Sequence, residues 1–316
     1  MKQIFKICLV LVAALFVAGC SSVSDTILES KNSIYHWKTT FDVNDAEAQF
    51  LSNHNVERIY IKMYDVATEH NFLSGVSDIV PIATTTFVSP VPSGVEVVPV
   101  VYITIDALRA MCGREAEFAE LIVERTLAMC RYNNCGKIGE LQLDCDWTST
   151  SKGVYETLCG IVQQSLRERG IDLSITVRLH QLQESAPPAD RGVLMLYNTG
   201  DLNNRDTRNS ILDIADVRKF VKDGQYPIPL SYAYPAFGWG VKFRGDEFKA
   251  IVSEDAVAGE NEHVRRERAT ASEIIKVKAL VEQRLGKPQC GNILYHLDQT
   301  QLNNYTDDEI AKILAY

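Results

Sequence analysis

Asp144 and Asp146 are the residues whose types and spacing could support acid–base chemistry. They lie two positions apart in the segment Gly139–Ser149, whose sequence GELQLDCDWTS alternates polar and apolar residues. Because side chains alternate between the two faces of a β-strand, both carboxylates share one face, with Cα atoms roughly 6.5–7 Å apart. Two such groups can be coupled, so that one holds a proton while the other is ionised. The spacing predicts a general acid, Asp146, beside a charged or orienting group, Asp144.

The polar face of this strand continues with Glu140 and Gln142, and it is too polar for an ordinary core. A parallel barrel strand whose inward face rises into an active-site mouth accommodates such a column. An antiparallel strand with one face in water is the alternative. In the barrel a buried carboxylate needs a cation, so we expect Lys62 or Arg178 near Glu140 or Asp144. The alternative places Lys62 in solvent on an edge strand.

Strand and helix patterns alternate along the rest of the chain. Eight strands are predicted, at Ser33–Thr39, Arg58–Val66, Glu96–Ile105, Gly139–Ser149, Asp172–His180, Gly192–Asn198, Pro229–Tyr234 and Gly291–Asp298. Helices are predicted at Asp42–Asn53, Asp106–Tyr132, Lys152–Arg169, Asp206–Lys222, Asp246–Ser253, Thr270–Leu285 and from Thr306 onward. An irregular excursion with room for a small extra strand is expected over His70–Gly94. This α/β alternation implies parallel pairing with right-handed crossovers, and eight repeats predict a (β/α)8 TIM barrel.

Polar and aromatic residues collect where the predicted strands end, which is where barrels of this kind carry their chemistry. Each of them alone has an ordinary structural explanation, but eight strands that end in this way predict a site. Aromatic rings beside carboxylates and amides suit a sugar, which has apolar faces and many hydroxyl groups. The candidate substrate-binding residues are His36, Trp37, Asp65, Tyr102, Arg178, His180, Tyr197, Asn198, Tyr232, Tyr234, Trp239, His296 and Asp298.

The N-terminus resembles a bacterial lipoprotein signal. Lys2 and Lys6 precede an apolar run, and the sequence Val17-Ala18-Gly19-Cys20 is similar to a lipobox. The resemblance implies cleavage before Cys20, which then carries diacylglycerol on its sulfur and an acyl chain on its amine. The domain organisation predicted is a signal peptide (1–19), a lipidated tether (20–32) and a barrel domain (33–316). We therefore expect a lipid-anchored protein of the cell envelope, on the periplasmic or surface face of the outer membrane.

Composition narrows the possible partners. The 316 residues carry a formal charge of −9, which becomes −11 when the two lysines of the signal are removed. An acidic body does not suggest nucleic acid or anionic lipid as a partner. The eight cysteines include no CxxC motif or His–Cys cluster, so no metal or cofactor is predicted. Cys130 could form a disulfide with Cys135 or Cys112. The size fits one barrel domain, and we expect a monomer.

The sequence Asp144-Cys145-Asp146-Trp147 resembles the fourth-strand signature of glycoside hydrolase family 18. That signature runs Asp-x-Asp-x-Glu, often with Trp before the Glu. In that family the Glu is the general acid, and the preceding Asp orients the substrate's acetamido group. Aligned on Trp147, the two aspartates match and Thr148 occupies the position of the acid. A shift by two residues instead places Gln142, Asp144 and Asp146 on the motif, with Asp146 as acid, and loses the Trp match.

The whole chain is also similar to a family of lipoproteins from gut-type Gram-negative bacteria with predicted glycosidase-like barrels. Two functions are therefore expected for a site outside the cytoplasm. The first is a glycoside hydrolase with Asp146 as acid and Asp65 or Asp298 as base or nucleophile. The second is a non-catalytic carbohydrate-binding lipoprotein with a degenerate barrel, which Thr148 favours. A third option is a lipoprotein with a structural or partner-binding role, whose polar lumen is only an ion-pair network.

Overall fold

The computed structural model describes residues 30–71 and 76–316. The predicted signal peptide, the lipidation site Cys20 and nearly all of the tether lie outside the described residues. Within them, no helix has the length and apolar character needed to cross a membrane.

The described strands and helices follow the predicted alternation along most of the chain. The strands are β1 (Asn32–His36), β2 (Thr40–Phe41), β3 (Val56–Asn71), β4 (Val76–Ile82), β5 (Thr86–Phe87), β6 (Glu96–Ile103), β7 (Glu140–Asp144), β8 (Asp172–Arg178), β9 (Arg191–Met195), β10 (Leu230–Pro235), β11 (Gly238–Arg244), β12 (Glu247–Val252), β13 (Glu262–Arg268) and β14 (Asn292–Tyr295). The helices are α1 (Asp45–Asn53), α2 (Ile105–Ala110), α3 (Glu115–Tyr132), α4 (Lys152–Arg167), α5 (Ile214–Phe220), α6 (Ala271–Leu285), α7 (Gln299–Leu302) and α8 (Asp307–Leu314), with a 3-10 helix at Leu179–Gln183.

Eight of these strands form a closed barrel, which confirms the predicted (β/α)8 fold. The order around the barrel is β1-β14-β10-β9-β8-β7-β6-β3, and pairing of β3 with β1 closes it. Every pair in this ring is parallel. The carboxyl ends of the eight strands therefore meet at one mouth, and the residues predicted at those ends are brought to the same end of the barrel.

The predicted excursion after the second strand contains regular β-structure. Strand β3 continues to Asn71 and pairs antiparallel with β4, and β5 pairs with the short β2. No helix lies between β3 and β6 among the described residues, 56–71 and 76–103.

The helix predicted at Asp246–Ser253 is wrong. Those residues form β12, which joins β11 and β13 in a three-stranded antiparallel sheet inserted between β10 and α6. The sequence EFKAIV alternates exposed and half-buried side chains along β12. That period of two fits a strand with one face in water.

Two further predicted helices are shorter than expected. Asp106–Tyr132 is divided into α2 and α3, and the break contains Gly113, whose φ of +79° favours glycine. Only Ile214–Phe220 of the predicted Asp206–Lys222 helix is helical, since the residues before it form a loop.

The barrel lumen is filled by a polar network that runs up the inward face of β7. The Tyr35 hydroxyl donates to Gln142 Oε1 at 2.6 Å, and the Tyr60 hydroxyl donates to Glu140 Oε1 at 3.3 Å. Glu140 also forms ion pairs with Arg58, at 3.8 Å, and with Arg191, at 3.5 Å. The predicted inward face of β7 is thereby confirmed, and the cations beside Glu140 are these two arginines.

A β-bulge changes the predicted facing of β3. The register with β6 shifts between Lys62 and Tyr64. Tyr64 therefore points outward, where its hydroxyl contacts the Ile122 carbonyl at 3.2 Å and Thr126 Oγ1 at 3.0 Å on α3. Asp65 follows the bulge and pairs with Lys62 at 3.1 Å. The extra residue thus places Asp65 at the inward position that simple alternation gives to Tyr64.

His36 is buried and His296 is half-buried, and both lie outside the lumen, between the barrel and its outer layer. The rings of Tyr35 and Trp37 face each other 6.0 Å apart, and the intervening His36 packs instead on Phe41 at 4.8 Å. Burial, together with the nearby charge of Lys38, lowers the pKa of both histidines to about 4.

We predict that the free energy of unfolding falls as the pH drops from 6.5 to about 4. The unfolded chain binds a proton at each histidine near pH 6.5, whereas the folded chain binds it only near pH 4, so acid favours unfolding. The loss is on the order of 3 kcal/mol for each histidine. Urea unfolding at about pH 7 and about pH 4.5 measures it.

The variants His36→Gln and His296→Gln should each flatten this pH dependence, whatever their stability at neutral pH. His180→Gln is the matched control, since His180 is exposed. An identical pH slope in all four proteins would contradict the prediction.

Candidate functional site

A cavity of about 250 Å³ opens at the mouth of the barrel, beyond the ends of β7, β8 and β9. Five of the residues predicted for a site lie in its wall. The lining residues are Asp146, Arg178, Leu179, His180, Tyr197, Asn198, Thr199 and Phe220.

Arg178 joins the two aspartates at the floor of this cleft. Its Nη2 donates to Asp144 Oδ1 at 3.0 Å, and its Nε donates to Asp146 Oδ1. Thr176, two residues earlier on the same face of β8, donates its hydroxyl to Asp144 Oδ1 at 2.6 Å. The expectation that a cation from Lys62 or Arg178 would lie beside Asp144 is confirmed for Arg178. Charge-assisted bonds of this kind fix both carboxylates in place.

The two aspartates differ in their access to solvent. The Asp144 side chain is 2% exposed, whereas that of Asp146 is 43% exposed. Burial raises the pKa of Asp144 above its ordinary value, although Arg178 acts in the opposite direction. Asp146 is therefore the carboxylate that a ligand in the cleft can touch, and Asp144 lies behind it.

Tyr102 completes the polar side of the mouth. It is the register partner of Asp144 on the neighbouring strand β6. Burial raises the pKa of its hydroxyl to about 12, and the charges of Asp146 and Asp144 act in the same direction. Tyr102 is therefore a protonated phenol that can donate a hydrogen bond at neutral pH.

Thr148 lies at the position that the alignment on Trp147 gives to a catalytic acid, whereas the shifted alignment gives that position to Asp146. Its Oγ1 is 3.0 Å from Thr150 Oγ1, and its backbone N–H donates to Ser151 Oγ at 3.0 Å. Trp147, which precedes it, is buried on the outer side and stacks on Tyr155 at 6.3 Å. A hydroxyl group with its ordinary proton affinity does not replace a tuned carboxylic acid.

A row of aromatic rings extends from Tyr197 in the wall of the cavity, with Tyr295 at its centre. The Tyr295 ring centroid lies 5.7 Å from that of Trp37, 4.6 Å from that of Tyr197 and 5.9 Å from that of Phe237. Trp239 extends the row at 5.2 Å from Phe237. Lys62 Nζ lies 5.8 Å from the Trp37 ring centroid, which brings the Lys62–Asp65 pair to the same end of the row.

Sequence reasoning missed Tyr295 and Phe237. In the segment GNILYHLD the polar His296 was selected, whereas the residue before it turns into the lumen. Tyr295 could have been found from the alternation of side chains along the strand together with the register between β1 and β14. Ser33 pairs with Ile293, so two residues further on Tyr35 and Tyr295 share a face, and their ring centroids are 5.5 Å apart.

Several predicted residues do not reach the cleft. The Tyr232 hydroxyl donates to the Gly286 carbonyl at 2.8 Å, and the charged neighbour of Tyr234 is Glu282 on α6, so both tyrosines face the outer helix. Asp298 caps α7 and pairs with Lys38 at 3.1 Å. The predicted residues that the structure brings to the mouth are Asp144, Asp146, Arg178, His180, Tyr197, Asn198, Tyr102, Asp65, Trp37 and Trp239. Those that it places elsewhere are His36, His296, Tyr232, Tyr234 and Asp298.

Within residues 30–71 and 76–316, no group of three or more His, Cys, Asp or Glu side chains is arranged to hold a metal ion. The six cysteines in this part of the chain are free. Cys130 and Cys135 are buried with their thiols in mutual contact, whereas Cys112 is exposed. Of the two disulfides considered from the sequence, the structure places only the Cys130–Cys135 thiols together.

No protein family and no curated protein matches the sequence. Solved structures of low sequence identity do match the fold. A chitinase from Chromobacterium violaceum is 12% identical with a TM-score of 0.54, over 90% of this chain and 98% of that chain. The spore cortex-lytic enzyme SleL of Bacillus cereus is 12% identical with a TM-score of 0.53, over 92% of this chain and 75% of that chain. A GH18 chitinase variant from Cycas revoluta in complex with (GlcNAc)4 is 11% identical with a TM-score of 0.51, over 90% and 98%. The chain thus has the barrel fold of these enzymes.

Proposed function

We propose that the protein binds a carbohydrate in the cleft at the mouth of the barrel. The observation that carries this proposal is the aromatic row from Trp37 through Tyr295 to Trp239, which meets the polar cavity at Tyr197. The Tyr197 ring centroid lies 4.6 Å from that of Tyr295 and 5.8 Å from the guanidinium carbon of Arg178, which holds Asp146. Sugars offer apolar faces to aromatic rings and hydroxyl groups to carboxylates. The barrel shared with chitinases, one of them in complex with (GlcNAc)4, supports the proposal.

Binding without cleavage fits the state of the carboxylates at the mouth. Asp146 is held by Arg178, and Asp65 is held by Lys62. These charge-assisted hydrogen bonds fix the two carboxylates as acceptors that can bind hydroxyl groups. The pKa of Asp144 is raised by burial, but its side chain is almost inaccessible and already accepts two hydrogen bonds. In the alignment on Trp147, Thr148 holds the position of the acid, and its hydroxyl group does not replace a carboxylic acid.

We predict that Trp37→Ala weakens the binding of a soluble glycan about three- to tenfold, because one stacking ring contributes roughly 0.5–1.5 kcal/mol. Isothermal titration of the purified protein with a panel of oligosaccharides, including oligomers of N-acetylglucosamine, measures the effect. Tyr132→Ala is the control, because Tyr132 is 87% exposed on α3, outside the cleft. Failure of the wild-type protein to bind any glycan of the panel would refute the proposed function.

Glycoside hydrolysis is the second candidate, and one observation favours it. Asp144 and Asp146 adjoin in different environments, one buried with a raised pKa and one exposed to the cleft. Two carboxyl groups whose environments separate their pKa values are the usual signature of acid and base roles. In this reading Asp146 is the acid, and Asp65 is the base or nucleophile, since Asp298 lies outside the cleft.

If hydrolysis occurs, Asp146→Asn should abolish product release from a cleaved glycan, because an amide cannot donate the proton. Asp106→Asn is the control, since Asp106 is largely exposed on α2. Product analysis by chromatography separates the two candidate functions. Wild-type binding without product supports the binding role, and full turnover by the Asp146→Asn variant would exclude Asp146 as the acid.

We also propose that the mature protein is anchored to the cell envelope through lipid on Cys20. This proposal rests on the lipobox-like sequence alone. Cys20→Ala should remove incorporated fatty acid label and move the protein out of the membrane fraction, because each buried acyl CH₂ contributes about 0.8 kcal/mol to anchoring. Unchanged labelling of the variant would show that Cys20 is not the acceptor.

A further inference from the structure

We infer that Glu267 is a positioning residue that fixes Trp239 at the edge of the carbohydrate cleft. The inference rests on the proposed function, since it gives Trp239 a role in binding. Glu267 lies on β13 of the three-stranded insert, opposite Trp239 on β11 in the antiparallel register. Its side chain is fully buried.

Three donors converge on this one carboxylate. Glu267 Oε2 accepts the indole Nε1–H of Trp239 at 3.0 Å, and it also accepts the Ser210 hydroxyl. Glu267 Oε1 accepts the Arg265 Nε–H at 2.5 Å. A buried charge with donors on both oxygens is held in one orientation, and it holds its donors in turn.

The same ion pair fastens the loop before α5 to the insert. Arg265 Nη1 donates to the carbonyl oxygens of Asn204, at 2.5 Å, and Arg205, at 3.1 Å. Ser210, at the other end of this loop, donates to Glu267. The loop begins at Asn198 and Thr199, which line the cavity. Glu267 therefore links the insert, the loop and the indole ring into one wall of the cleft.

The position of Trp239 follows from this arrangement. Its ring is half-buried and packs on Phe237, which contacts Tyr295 at the centre of the aromatic row. A partly buried indole N–H requires an acceptor, and Glu267 supplies it. Without that acceptor, the cost of the unpaired N–H favours rotation of the ring away from the row.

The test compares Glu267→Leu, Glu267→Gln and Trp239→Ala by glycan titration. We expect Glu267→Leu to weaken binding about tenfold, equivalent to roughly 1.4 kcal/mol, and to match Trp239→Ala. Glu267→Gln keeps an acceptor oxygen and should restore most of the affinity. The double variant Glu267→Leu/Trp239→Ala should bind no more weakly than Trp239→Ala alone, because both changes remove the same contact.

Glu254→Gln is the matched control, since Glu254 pairs with Arg268 in the same insert and touches neither Trp239 nor the loop. If Glu267 had a merely structural role, the affinity losses of Glu267→Leu and Trp239→Ala would multiply in the double variant. Wild-type glycan affinity of the Glu267→Leu variant would overturn the inference outright.

A second measurement needs no glycan. Hydrogen exchange of the Trp239 indole N–H, assigned by comparison with Trp239→Phe, should be slow in the wild type and fast in Glu267→Leu. Equal exchange rates would refute the positioning role. Slow wild-type exchange without any glycan binding would refute the proposed function and leave the Glu267–Trp239 link established.

Discussion

The guanidinium of Arg178 between Asp144 and Asp146 is the interaction on which the mouth of the barrel depends. Two carboxylates two residues apart on one strand repel each other, and one of them is almost completely buried. Removing the cation from such a group leaves an unpaired buried charge, at a cost of about 3–5 kcal/mol. Because Arg178 comes from the neighbouring strand β8, the pairing also requires the observed register of β7 and β8. The charge arrangement and the closed barrel therefore support each other.

Closer to the amino ends of the strands, the other polar residues of the lumen also pair with residues of neighbouring strands. Near the amino ends of the strands, Glu140 lies between Arg58 and Arg191. In the layer above, Gln142 receives the Tyr35 hydroxyl and donates to Ser174. Each polar layer of β7 thus has polar or charged partners on neighbouring strands, with Glu140 Oε2 at ion-pair distance from its two arginines and without a hydrogen bond of its own. A strand with a polar inward face can therefore be fully buried. The apolar face of the strand packs on the helices, as in any parallel barrel.

The sequence was sufficient to predict the barrel, the inward face of β7 and a cation, Lys62 or Arg178, beside Glu140 or Asp144. The structure pairs Arg178 with Asp144. The sequence was insufficient wherever polarity alone does not decide whether a side chain faces the lumen or the outer helices. Strands of a parallel barrel are buried on both faces, so a polar or aromatic residue such as His36 or Tyr232 can face either layer. One extra residue at Met63 reversed the facing of Tyr64 and Asp65, and no local pattern marks that bulge. The helix prediction at Asp246–Ser253 failed because this short amphipathic segment fits both the period of a helix and the period of a strand. Its pairing with β11 makes it a strand.

The pairing that lets acidic residues exist at the mouth also limits their chemistry. A carboxylate that already accepts hydrogen bonds from a guanidinium or an ammonium group is fixed in orientation as an acceptor. Asp146 is held in this way by Arg178 and Asp65 by Lys62, and in the alignment on Trp147 the position of the acid is held by Thr148. The aromatic row, by contrast, needs no ionisation to act, since its rings offer apolar faces at any pH. The proposed binding of a sugar therefore needs only groups that the mouth already holds, whereas the proposed hydrolysis also needs a proton donor among Asp144 and Asp146 beside Arg178.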